Sequence, residues 1–241
     1  MDTSQITELL VKETLQAWQH HRPTPAAWQT LDYVRGEADS DAYFKQHVLG
    51  FIEKKVQAGR DRVNSTLPLA ADWKTALVED FQSCDDDLLN WSLLYYCLCD
   101  PTHPQLKQVK YLTGIDLKRM NRSIHLTCAH VANYIGQQES AAQQRLKQVR
   151  LISQLPLPEY RQLYGPRDVI DDAYRALHAT DNTGFVSLQG IGGIGKTAQA
   201  RELARRVAES DYFQDVLWIS ARQEWFNADG MLESNALHDV M

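Results

Sequence analysis

Gly190-Ile191-Gly192-Gly193-Ile194-Gly195-Lys196-Thr197 is the stretch whose reading decides the fold. It fits G-x-x-x-x-G-K-[ST], the spacing of a phosphate-binding loop. Glycines let successive backbone N–H groups meet phosphate oxygens with no Cβ in the way. A helix that starts at such a loop presents the positive end of its dipole to the anion. Lys196 adds a mobile charge for β and γ phosphates, and the Thr197 hydroxyl suits Mg²⁺. A glycine-rich hairpin turn would account for the glycines but not for Lys196-Thr197.

The flanks extend the pattern. Phe185-Val186-Ser187-Leu188 is a short apolar run suited to a buried strand. Ala200, Leu203, Ala204, Val207 and Ala208 recur at helical spacing, with Glu202 and Arg206 paired i,i+4 on another face. Strand, loop and helix together predict an α/β P-loop domain.

Three stretches resemble one P-loop class, the NB-ARC branch of the STAND signalling ATPases. Leu163-Tyr164-Gly165-Pro166-Arg167-Asp168 is similar to the family's apolar-Gly-Arg-acidic box, with Pro166 inserted between the glycine and the arginine. The loop itself has the family's G-x-G-G-x-G-K-T form. Phe213-Gln214-Asp215-Val216-Leu217-Trp218-Ile219-Ser220 resembles its second strand. The resemblance covers about residues 160–241. It implies a nucleotide site of Gly190, Gly192, Gly193, Ile194, Gly195, Lys196, Thr197 and Ala198, with Tyr164 and Arg167 toward the adenine and Mg²⁺ on Thr197. It also implies a regulatory switch that holds ADP at rest and exchanges it for ATP on a signal. The protein would then self-associate and activate its N-terminal module. The family hydrolyses ATP. Here no apolar strand ending in paired acids follows the loop, and such a strand supplies the second Mg²⁺ ligand. The chain is therefore expected to stop inside the nucleotide domain, with a truncated parallel sheet and no turnover alone. No catalytic residue is assigned.

The 241 residues are 44% hydrophobic and 23% charged, an ordinary globular composition. No run reaches membrane-spanning length and no signal pattern opens the chain, so a cytoplasmic protein that avoids membranes is expected. Cys84, Cys97, Cys99 and Cys128 form no C-x-x-C pair and read as buried free thiols. The net charge of −6 is uneven: −7 over residues 1–100, +6 over 101–150 and −5 over 151–241. A basic middle suits an anionic partner, or a face docked on the acidic parts of the same chain.

Residues 1–135 read as an all-α module. The periodicity predicts helices over about 4–20, from Thr24-Pro25 to Gly36, from Ser40 or Asp41 to Gly59, over Leu69–Gln82 and over Asp85–Cys99. The acidic run Asp85-Asp86-Asp87 fits a helix N-terminus. A short helix over Gln105–Leu112, a turn at Thr113-Gly114-Ile115 and a longer helix from Asp116 to about Tyr134 make a helix-turn-helix pattern. Leu106, Val109, Ile115, Met120 and Ile124 fall where such a unit packs, and Lys118, Arg119, Asn121 and Arg122 lie away from them. Residues 88–135 look similar to sigma-factor-type helix-turn-helix units, which implies DNA contact through those four polar residues. A plain helical hairpin in an adaptor that recruits a protein partner fits the same pattern. Residues 136–158 read as a connection, with a solvated helix over Ala141–Ser153 and an extended Leu155-Pro156-Leu157-Pro158. Residues 159–241 form the nucleotide domain, with a helix over Asp168–His178 and another beginning near Gly230.

Two functions follow. The first is an ATP- and ADP-binding switch that controls the helical module. The second is a helix-turn-helix DNA-binding regulator that contacts DNA through 101–135 and carries an incomplete nucleotide domain.

Overall fold

The computed structural model describes residues 5–102, 104–158, 167–179, 185–210, 212–220, 224–226 and 232–234. The chain divides into unit 1, Met1–Gln143, and unit 2, Gln144–Met241.

Unit 1 is helical. α1 (Glu8–Gln19) is opened by Thr7, whose Oγ1 accepts from Leu10 N. α2 (Ser40–Arg62) is capped by Asp39, and α3 (Trp73–Gln82) by Asp72. α4 (Asp86–Leu94) starts on Asp85, whose carboxylate accepts from Leu88 N at 2.9 Å. That bond and the Arg62 guanidinium hold the Asp85 carboxyl below its ordinary range. α4 runs on into a wider π turn at Tyr95–Cys99. α5 (Leu106–Thr113) ends on Gly114 at φ +74°, and α6 (Leu117–Ser153) follows at once. At the starts of α1 to α4 a short polar side chain satisfies donors that the first turn of a helix leaves open.

The apolar positions close into one core. Leu15, Phe44, Val48, Ile52, Val56, Leu88, Leu94, Val109, Met120 and Ile124 are all buried there. Two buried indole N–H groups are satisfied as well: Trp18 Nε1 donates to Thr24 Oγ1 at 2.7 Å, and Trp28 Nε1 to Thr14 Oγ1 at 2.6 Å. Phe51 stacks on Tyr134 with centroids 3.9 Å apart.

Two expectations in this unit change. Between Pro25 and Gly36 the only regular structure is a 3-10 turn at Ala26–Thr30. Trp28, Leu31 and Val34 are buried at helix-like spacing, but Leu31 is extended (ψ 131°) and breaks the run. α6 does not stop near Gly136. Val131, Ala132, Ile135 and Glu139 are buried on either side of that glycine, and such burial outweighs a helix penalty of about 1 kcal/mol for one glycine.

Unit 2 contains α7 (Arg167–His178) and α8 (Lys196–Glu209), with Ile170 and Ala173 buried against Leu203 and Val207. The expected α/β architecture is not found. The one strand pairing among the described residues is antiparallel, between β1 (Glu224–Phe226) and β2 (Leu232–Ser234), so there is no parallel sheet. β2 also lies where a helix was expected from Gly230. Phe185–Leu188 and 213–220 form no strand. Their exposure still alternates: Val186, Leu188, Val216 and Trp218 are half-buried, while Phe185, Leu217 and Ile219 are exposed. The alternation was legible, but a strand exists only with a neighbour to share its hydrogen bonds. The α8 face that was to lie on a sheet instead lines an apolar hollow of ≈380 Å³ with Leu177, Val186 and Leu188.

Candidate nucleotide-binding site

The glycine-rich loop is folded into a shape suited to an anion. Gly193 (φ +80°) and Gly195 (φ +91°) occupy the left-handed region, which side chains with a Cβ avoid. Gly195 caps α8, and the first i,i−4 bond of that helix runs from Gln199 N to Gly195 O at 2.9 Å. The N–H groups of Lys196 and Thr197 precede that bond and so have no acceptor within the helix. A Cβ placed on Gly192, Gly193 or Gly195 would meet nothing within 4 Å, so the space beside the loop is open. Gly190 is tighter, since a Cβ there would come within 3.2 Å of Ile194 Cγ2. Ile194 thus braces the start of the loop while its own side chain stays largely exposed.

Lys196 folds back over the loop. Its Nζ donates to Gly190 O and to Ile191 O, each at 2.9 Å. The other cations of α8 are committed elsewhere. Arg201 Nε donates to Pro156 O at 2.6 Å, Arg205 pairs with Glu202 at 2.6 Å and with Glu209, and Arg206 pairs with Asp171. Hydrogen bonding from Arg205 outweighs partial burial and holds the Glu202 carboxyl below its usual range. The expected Glu202–Arg206 pair is present but longer, at 3.5 Å. Lys196 and Arg201 are the cations of α8 without an acidic partner among the described residues, and Arg201 is held instead by Pro156 O. Thr197 is exposed and its hydroxyl has no hydrogen bond there, while Ala198 continues the first turn. Tyr164 lies outside the described residues. Arg167 begins α7, with its side chain likewise outside them.

The corner between α5 and α6 separates its polar residues. Val109, Ile115, Met120 and Ile124 are buried, and Leu106 packs against that core. Lys118 and Arg122 are exposed, and their side chains have no partner among the described residues. Arg119 Nη2 is held by Asp86 Oδ1 at 2.7 Å, and the Asn121 amide donates to Leu117 O in its own helix. The sequence reading missed Tyr111, which is 94% exposed. Its position four residues after Lys107 on α5 was the available signal.

The thiols are mostly interior. Cys97 and Cys128 are buried and Cys99 half-buried, whereas Cys84 is exposed, contrary to expectation. No helix among the described residues is long and apolar enough to cross a membrane. No family model matches the chain, and no curated protein or solved structure matches it.

Proposed function

We propose that the chain binds ATP and ADP with Mg²⁺ through Gly190–Thr197. On this reading it is a nucleotide-controlled regulatory switch of the STAND, NB-ARC-like class, with the helical module of unit 1 as its output. One observation carries the reading: the Lys196 ammonium rests on two loop carbonyls, beside open space, at the positive end of α8. Phosphate oxygens replace those carbonyls as its acceptors, since an ammonium bonds an anionic oxygen more strongly than a neutral carbonyl. Gly190, Gly192, Gly193 and Gly195 form the cradle, the N–H groups of Lys196 and Thr197 donate to it, and Thr197 holds the metal. Bound Mg²⁺ supplies charge neutralisation to the β and γ phosphates. Every phosphate contact in this account comes from residues 190–198, so the reading draws nothing from a sheet. Arg167 and Tyr164 take the adenine side by resemblance alone.

Calorimetry with ATP and with ADP tests the proposal. A charge-assisted contact is worth about 1.5–3 kcal/mol, so Lys196→Ala weakens either nucleotide by about tenfold to a hundredfold. Equal affinity in the two proteins overturns it.

A further inference from the structure

The α5–α6 corner of unit 1 carries a second anion surface, unrelated to the nucleotide loop. Lys107, Lys110, Lys118 and Arg122 are exposed there, and none has an ion pair or hydrogen bond from its side chain among the described residues. Elsewhere in unit 1 the guanidinium groups of Arg35, Arg60 and Arg62 are each paired with an aspartate. These four cations belong to the basic stretch of the chain, which carries +6 over residues 101–150. Tyr111 stands among these cations at 94% exposure. Lys107, Lys110 and Tyr111 follow i, i+3, i+4 spacing and share one face of α5, opposite the buried Val109.

Two acids stand at the corner, and one of them is paired with a cation. Asp116 Oδ2 accepts from Lys118 N at 2.9 Å, and Asp86 holds Arg119. The groups best suited to reading base edges are also occupied, since Arg119 is tied down and Asn121 bonds its own helix. What stays free is mostly flexible lysine, which acts as a point charge and marks position along a backbone rather than base identity.

We propose that this corner binds the phosphate backbone of double-stranded DNA without regard to sequence, through Lys107, Lys110, Lys118 and Arg122, with Tyr111 against the sugar–phosphate edge. The exposed side chains on two successive helices suit a partner that is itself grooved, and a DNA major groove about 12 Å wide admits a helix. The contact set moves away from Arg119 and Asn121 and onto α5.

The test uses the full chain and labelled duplexes of two unrelated sequences, read by fluorescence anisotropy from about 50 mM salt upward. Both duplexes are expected to bind within about threefold of each other, because phosphate contacts carry no sequence information. Four phosphate contacts give a log–log salt slope of about −3.6, and K107E/K110E lowers its magnitude by about two. That double variant also weakens binding by tenfold or more at ~50 mM salt. Lys54→Glu, a charge reversal on the exposed side of α2, leaves binding unchanged. So does Lys196→Ala, which separates this result from the fate of the nucleotide reading. No binding at low salt, full binding by K107E/K110E, or a sequence preference abolished by Asn121→Ala each overturns the proposal. Poly-glutamate competing as well as unlabelled duplex overturns it in favour of an acidic protein partner.

Discussion

Arg60 and Asp80 form an ion pair in the interior of unit 1: Nη2 lies 2.9 Å from Oδ2, and neither side chain is exposed. The pair satisfies its neighbours too. Arg60 donates to Pro68 O and to Tyr96 Oη, Ser92 Oγ donates to Asp80, and Tyr96 Oη donates to Leu69 O. Burial disfavours the guanidinium charge, but the bonds to Asp80 and Tyr96 outweigh it and push the Arg60 pKa up.

Removing one partner strands the other charge in the core. Asp80→Ala is expected to cost about 3–5 kcal/mol, whereas Arg60→Met with Asp80→Leu costs less than the sum of the single changes. Urea unfolding of Asp80→Ala, Arg60→Met, Asp80→Leu and the double variant measures this. Additive losses would show that the two groups are independent.

The approach of α2 to α4 depends on Gly59. A Cβ there would lie 3.0 Å from Leu88 Cβ and 3.3 Å from its Cα, whereas one on Gly50 would meet nothing within 4 Å. Both glycines sit in α2, so the helix-propensity gain of alanine cancels between them. Gly59→Ala should therefore be less stable than Gly50→Ala by about 1–3 kcal/mol, the usual cost of overpacking. Chemical denaturation of the pair checks it.

Much of unit 1 was legible because its signals are local. The extent of α2 and the helix start at Asp85-Asp86-Asp87 followed from spacing and side-chain chemistry, as did the helical face of α8 in unit 2. The failures share one cause: the deciding interaction was not local. Leu31 leaves helical geometry although its neighbours keep the helical period, and α6 runs through Gly136 because tertiary burial rewards it. Phe185–Leu188 needed a partner strand that no single window of sequence can supply. At the candidate site the glycines and Lys196 were readable, but the capture of Arg119 by Asp86, thirty-three residues away, was not.

The interior thiols make stability sensitive to alkali. Burial pushes Cys97 from its ordinary 9.0 to about 12, and burial raises Cys128 likewise to about 12 despite Lys12 nearby. Below pH 9 both the folded and the unfolded chain keep these protons, and the contribution is constant. Between 9 and 12 only the folded chain keeps them, so stability falls as pH rises. The melting temperature should be level from about pH 7 to 8.5 and fall above 9, with a limiting slope of about 1.4 kcal/mol per pH unit for each thiol. Cys97→Ala with Cys128→Ala should flatten that fall, and an unchanged pH profile would refute this account.

The Thr197 hydroxyl separates metal binding from phosphate binding. If it ligates Mg²⁺ beside the nucleotide, Thr197→Ala weakens MgATP by about tenfold while metal-free ATP is nearly unaffected. Calorimetry with and without a chelator distinguishes the two. Equal losses in both conditions would place Thr197 in the phosphate cradle only.

Phe185, Leu217 and Ile219 are between 76% and 83% exposed, on segments whose backbones join no ladder among the described residues. Open backbone donors and acceptors beside outward apolar side chains are a template for pairing between molecules. The practical result is colloidal: in a concentrated preparation these two segments, rather than the helical module, set the concentration at which the solution turns cloudy. Lysines at positions 217 and 219 should raise that threshold while leaving the melting of unit 1 where it was.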